Sequence, residues 1–145
     1  MEIHRARVRV RYAETDQMGV VYHANYIVWM EVGRVEFCRA NGLSYRDMEQ
    51  EGALHLAVIE ANCRYIAPAR YDDEVDIETR VEKATPRGVH FVYTMRNAAT
   101  GQKLAEGFSR HLFLDHQLKP MRLPERFYPQ FGLAAGPSAP PPPTC

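Results

Sequence analysis

No apolar run in this chain approaches the roughly 20 residues needed to cross a bilayer. The first residues, Met1-Glu2-Ile3-His4-Arg5, place no apolar core behind a basic start, so neither a membrane span nor a secretory leader is expected. Cysteine is scarce. Cys38, Cys63 and Cys145 are an odd, scattered set, which is no disulfide framework. A reducing cytoplasm is the simplest setting, with Cys38 and Cys63 as small core residues. An excess of one charge is also missing: 18 basic residues balance 18 acidic ones. That excludes a broad footprint for nucleic acid but leaves room for a local phosphate site. His4, His55, His90, His111 and His116 are dispersed and offer no metal-ligand spacing, and no cysteine pair suits zinc. A serine elbow and a glycine-rich phosphate loop are absent too. No metal and no cofactor are expected.

What remains is a chain of 145 residues, 46% hydrophobic and 25% charged, enough for one domain with an ordinary core. Residues 4–12 alternate, with Arg5, Arg7, Arg9 and Arg11 on one side and Ala6, Val8, Val10 and Tyr12 on the other. Period two predicts a half-buried strand. Its arginine row suits a solvated or edge-protecting face, or a phosphate stripe. A loop follows over 13–22. A long helix then starts between His23 and Asn25, with Asn25 as candidate N-cap. Tyr26, Trp29, Met30, Gly33, Phe37 and Ala40 form its apolar stripe, with Glu31, Arg34, Glu36 and Arg39 mostly off it. Gly33 is unfavourable in a helix by about 1 kcal/mol against alanine, which points to a close approach there. Asn41-Gly42 ends the helix. Ser44 to Gly52 reads as a short second helix, with Ser44 and Asp47 resembling a capping box.

From Leu54 onward the period is two. The alternation slips between Val58 and Ile59, which predicts a bulge in a bent strand. Three more strands follow, over 75–82, 89–95 and 103–115, joined by short turns that imply antiparallel neighbours. Ala105, Gly107 and Ser109 leave space on one face for a helix. Residues 116–131, with Pro120, Pro124 and Pro129, are expected to run extended over the surface. The expected architecture is α+β, one apolar helix on a five-stranded antiparallel sheet. Residues 1–131 form the domain, and 132–145 a proline-rich mobile tail.

The chemistry concentrates in Tyr12-Ala13-Glu14-Thr15-Asp16-Gln17-Met18-Gly19-Val20-Val21-Tyr22-His23-Ala24-Asn25-Tyr26. Asp16 precedes a helix N-terminus, where backbone N–H groups lack partners and favour a developing oxyanion. A carboxylate beside such a donor is the minimum for acyl transfer, and a thioester suits it because thiolate leaves readily. Capping a turn or the helix is the alternative role for Asp16. His23 can relay a proton, orient water, or offer only its backbone N–H. Glu14 and Thr15 suit stabilisation of the loop, and Glu31 a salt bridge.

Tyr12-x-Glu14-Thr15-Asp16-x-x-Gly19-Val20-Val21-Tyr22-His23-x-Asn25-Tyr26, followed by Trp29-Met30-Glu31-x-Gly33-Arg34, resembles the signature of the 4-hydroxybenzoyl-CoA thioesterase family of hotdog-fold thioesterases, most closely its small bacterial acyl-CoA thioesterases. The resemblance implies a long central helix wrapped by a curved five-stranded antiparallel sheet. It implies hydrolysis of acyl-CoA, or of acyl-ACP, in homodimers or homotetramers with interface active sites. By that resemblance Asp16 is nucleophile or general base and the His23 backbone N–H is the oxyanion donor. Tyr12, Gly19, Tyr22, Asn25, Tyr26 and Arg87 are substrate-binding candidates. Lys83, Arg87, Arg110 and Lys119 are candidates for the coenzyme A phosphates. A hydratase on the same fold would need an Asp-x-Asn-Pro-x-His arrangement, which is absent here. A non-catalytic carrier-binding module is the third reading, against which the intact Asp16 stands.

Overall fold

The computed structural model describes residues 2–43, 45–51 and 54–134. Strand β1 (His4–Arg9) leads through a 3₁₀ turn (Tyr12–Glu14) to helix α1 (Ala24–Ala40) and short helix α2 (Tyr45–Glu51). Strands β2 (His55–Tyr65), β3 (Glu74–Thr85), β4 (Gly88–Asn97) and β5 (Lys103–Leu114) follow. One five-stranded sheet results, in the order β1-β3-β4-β5-β2, with every neighbouring pair antiparallel. Alternate residues face the core: Val75, Ile77, Thr79 and Val81 of β3, and Val89, Phe91, Tyr93 and Met95 of β4, are buried. Helix α1 lies on that face and contacts β1, β2, β3 and β4. No helix among the described residues is long and apolar enough to cross a membrane.

The helix seats very closely. A Cβ at Gly33 would stand 2.4 Å from Thr79 Oγ1 and 2.8 Å from Ile77 Cγ2. A Cβ at Gly107 would meet the Asn62 carbonyl at 2.0 Å and the Met30 methyl at 2.7 Å. The expected close approach is therefore real on both sides of the contact. At its far end α1 stops in a Schellman arrangement: Leu43 N–H bonds Cys38 O at 2.9 Å, Gly42 N–H bonds Arg39 O at 3.1 Å, and Gly42 has φ +85°.

Several expectations need correction. The first strand ends at Arg9, not residue 12, because the Glu14 carboxylate takes the Arg11 N–H at 2.8 Å and turns the chain. Arg34 is buried, not off the stripe, and Ala40 is exposed. Arg34 follows Met30 by one turn, so it faces the sheet, and its Nη1 donates to the Tyr93 hydroxyl at 3.2 Å. Residues 125–131 are not extended. Glu125–Phe131 is a 3₁₀ helix opening after Pro124, because Phe127, Tyr128 and Phe131 bury their rings in the core. Gly132 caps it at φ +79°, and Leu133 packs on the core. The expected mobile tail from 135 onward, with Cys145, lies outside the described residues, as does the Ser44 cap of α2.

The two sheet edges differ. On β1 each arginine stands directly opposite an acid of β3: Arg5 with Glu78, Arg7 with Asp76, Arg9 with Glu74. The arginine row is thus a cross-strand charge ladder. On β2 the register slips between Val58 and Glu60, as the sequence pattern requires, so Ile59 is the bulged residue. Val58 and Ile59 are 52% and 54% exposed.

Two tests follow from this packing. Gly33→Ala is expected to lower stability by about 1–3 kcal/mol through overpacking, with part recovered in the Gly33→Ala/Thr79→Ala double variant; urea midpoints decide. The second concerns His111, which is buried with Nε2 2.7 Å from the Ser109 hydroxyl. Burial, then the charges of Arg34 and His90, push it from 6.5 down to about 3. The unfolded chain takes up a proton that the folded one refuses, so the contribution is intact above pH 6.5 and lost as pH falls toward 3. Stability should drop by up to about 1.4 kcal/mol per pH unit across that window. His111→Gln should flatten the slope by up to one proton in urea titrations at a series of pH values.

Candidate active site

The polar loop between β1 and α1 is a miniature hairpin. Thr15 bridges to Val21, Asp16 N–H bonds Val20 O at 2.8 Å, and Gly19 N–H bonds Asp16 O at 2.9 Å. Gly19 has φ +80°, the left-handed residue that a three-residue hairpin loop requires. The Asp16 side chain completes the turn by accepting the Met18 N–H on Oδ1 at 2.9 Å. Its Oδ2 takes no hydrogen bond from the described residues.

Glu14 holds this hairpin in place. It is 6% exposed. Its carboxylate accepts the Arg11 N–H and, at 3.2 Å, the Trp29 indole N–H. Its carbonyl accepts the Tyr22 N–H at 2.8 Å and the Asn25 side-chain amide at 2.9 Å. One residue thus ties the end of β1, the returning arm of the hairpin and the first two turns of α1. A buried carboxylate with several donors is stable where an unpaired one is not.

Asn25 is consequently not the N-cap. Its amide is engaged by Glu14, and its own N–H bonds Tyr22 O at 2.9 Å. His23 caps the helix without a side-chain bond. Among the described residues nothing accepts the His23 backbone N–H, which leaves it as a free donor at the positive end of the helix.

Asp16 and His23 share a cleft of about 300 Å³. The hairpin contributes Asp16, Met18, Val20 and Val21, the helix start contributes His23 and Tyr26, and the exit of β2 contributes residues 65–68. That exit is anchored by Ile66 and Ala67 N–H on Leu104 O, at 2.8 and 3.1 Å. Val21 N–H reaches Ala69 O at 2.8 Å, closing the wall. The surface is mostly apolar, and Asp16 is the one acidic residue that lines it. Such a cleft can hold a neutral acyl chain and present its carbonyl to a base on one side and a donor on the other.

The other expected substrate residues are distributed more widely. Tyr26 is buried and lines the cleft. Gly19 shapes the hairpin and does not line it. Tyr22 is exposed, its ring 4.5 Å from that of His23. Tyr12 is 78% exposed and packs edge-on against Tyr71, outside the cleft. Glu31 is exposed on α1. Arg87 is not beside Asp16. It lines a separate cleft of about 210 Å³ with Lys83 and Arg110, and the two clefts share no residue. Lys119 lines neither. Residues 65–68 were not foreseen as a wall, because only the β2–β5 register, Tyr65 opposite Ala105, carries them there.

Known proteins resemble this chain in sequence and in fold. The chain matches the model of the thioesterase-like superfamily over residues 10–131. It is similar to the putative acyl-CoA thioesterase YneP of Bacillus subtilis, at 38% identity over 88% of this chain and 91% of that protein. The acyl-CoA thioester hydrolase YbgC of Escherichia coli O157:H7 is 34% identical over 86% of this chain and 92% of its own. Among solved structures, a DHNA-CoA thioesterase from Staphylococcus aureus superposes with a TM-score of 0.83 at 33% identity, covering 91% of this chain and 87% of the other. With its sheet laid around one long helix, and with the match extending over nearly the whole described body, the chain belongs to the thioesterase-like superfamily of hotdog proteins.

Proposed function

We propose that this chain is an acyl-CoA thioesterase, hydrolysing acyl-CoA to free acid and coenzyme A, with Asp16 as the reacting carboxylate. The observation that carries this reading is the shared cleft: Asp16, with one carboxylate oxygen unengaged, and His23, whose backbone N–H has no acceptor among the described residues, line one mostly apolar recess. The names of the relatives support acyl-CoA as the substrate class. An acyl carrier protein offers the same thioester on the same phosphopantetheine arm, so both carriers belong in the assay.

The reaction needs two things from the protein. As general base, Asp16 takes a proton from water while the water oxygen attacks the thioester carbonyl. As nucleophile, its oxygen attacks directly, expels the thiolate and forms an anhydride that water then opens. In either route negative charge develops on the carbonyl oxygen, and a fixed N–H at the helix start stabilises it. Thiolate is a good leaving group, so strong acid assistance is not required. Single turnover in heavy-oxygen water separates the routes, since label enters the Asp16 carboxyl group only through the anhydride.

Lys83 and Arg87, beside an Arg110 that is paired with Glu60 at 3.1 Å, line the second cleft, which suits phosphate groups of coenzyme A despite a net charge of zero. Because the two clefts are separate within one chain, a second copy is assigned the task of joining them. The outer side of β2, with Val58 and Ile59 exposed, is the apolar surface available for it.

Asp16→Asn should fold normally by circular dichroism yet lose about 10²–10⁴ in kcat, read by thiol release from a panel of acyl-CoAs. Near wild-type turnover across the panel would remove Asp16 from the chemistry. Arg87→Ala should raise KM for acyl-CoA with little change in kcat. Refolding a mixture of Asp16→Asn and Arg87→Ala chains should recover activity at limiting substrate beyond the sum of the two alone, because one mixed site regains both residues. No recovery would mean that each chain completes its own site.

A further inference from the structure

Tyr65 is assigned no part in the reaction above, yet it is the sheet residue that reaches the helix start. It ends β2, opposite Ala105 of β5. The two residues after it are fixed by hydrogen bonds to Leu104 O. From that anchored position its hydroxyl donates to the His23 carbonyl at 3.0 Å, across 42 residues of chain. Its ring meets Tyr26 edge-on at 5.2 Å between centroids and His23 at 6.2 Å.

The bond adds to the hold of Glu14 at the start of α1 and falls on the one residue there, His23, whose side chain makes no cap bond. A helix N-terminus is ordinarily held by a side-chain cap, and His23 makes none. The His23 carbonyl instead receives the Tyr65 hydroxyl, together with the Tyr26 N–H at 3.3 Å. The same residue carries the unpaired N–H, on the adjoining peptide unit, so the bond holds the chain directly after that donor. A donor contributes to rate only if its direction is set before charge develops. Looseness there weakens stabilisation of the transition state while leaving ground-state binding largely intact.

We propose that Tyr65 is a positioning residue: its hydroxyl, held by the β2–β5 register, donates to the His23 carbonyl and fixes the orientation of the chain at the helix start. The inference rests on the thioesterase reading and adds a residue to it. At neutral pH a phenol is an intact O–H donor, so the bond persists across the working range. The ring also walls the cleft, and this second role is separable because phenylalanine keeps it.

The test is Tyr65→Phe, which deletes one oxygen and retains the ring. Its kcat for the best acyl-CoA of the panel should fall about tenfold with KM within about twofold of wild type, the pattern of an interaction that matters only in the transition state. Amide hydrogen exchange at residues 25–27 should quicken in the same variant, while exchange in β3 and β4 stays as in wild type. Wild-type kcat would overturn the inference, as would a raised KM at unchanged kcat, which marks uniform binding. Unchanged exchange at the helix start would overturn it as well. If wild-type protein hydrolyses no acyl thioester, the thioesterase reading fails and this inference falls with it. If wild type is active and Tyr65→Phe equals it, this inference alone falls.

Discussion

The separation between α1 and the sheet is the constraint on which the rest depends. Gly33 on the helix and Gly107 on β5 remove side chains at two places where the layers meet, and neither position has room for a Cβ. This sets the height of the helix above β3 and β5, and hence where its N-terminus arrives. Helix, hairpin and the exit of β2 then converge on one recess. A thicker contact would lift the helix start away from Tyr65 and from Ala69. Packing at the middle of the helix thus determines the geometry of chemistry at its end.

A second level of organisation is polar. Glu14 is buried, and nearly every group around it is satisfied by it: two donors on its carboxylate, two on its carbonyl. It gives the Asp16 hairpin a fixed base while leaving Asp16 itself open on one oxygen. The two acids thus have opposite environments although only Thr15 separates them. One is enclosed and fully engaged, the other is at the cleft with capacity to react. Sequence proximity conveyed nothing about this difference; the direction of each side chain did.

Much of the fold was legible because its signals are local. Period-two alternation located the strands, the phase slip located the β2 bulge, and a glycine inside an apolar helix marked the close contact. The Asp16 loop was legible through its residue types and its place before a helix. Other features depend on partners distant in sequence. The burial of Arg34 needs the hydroxyl of Tyr93, and the displacement of Asn25 from the cap needs the carbonyl of Glu14. The 3₁₀ helix at 125–131 needs a core edge for Phe127 and Phe131, where proline content alone suggested an extended run. The separation of Arg87 from Asp16 comes from strand order, which no motif spells out.

The unlike edges of the sheet have a consequence for how copies of the chain can accumulate. Along β1 every arginine is matched to an acid across the pair, so that border is hydrated and offers little to an incoming strand. Along β2 the border carries two exposed aliphatic side chains, Val58 and Ile59, at a bulge, next to the polar Glu60, Asn62 and Arg64. A strand added at β2 by another copy would use that copy's own β2, and in such a pair the two outward borders would be charged ones. The arginine ladder, which contributes little to holding one chain together, thus has a second effect: it makes β1 a poor template for a further strand.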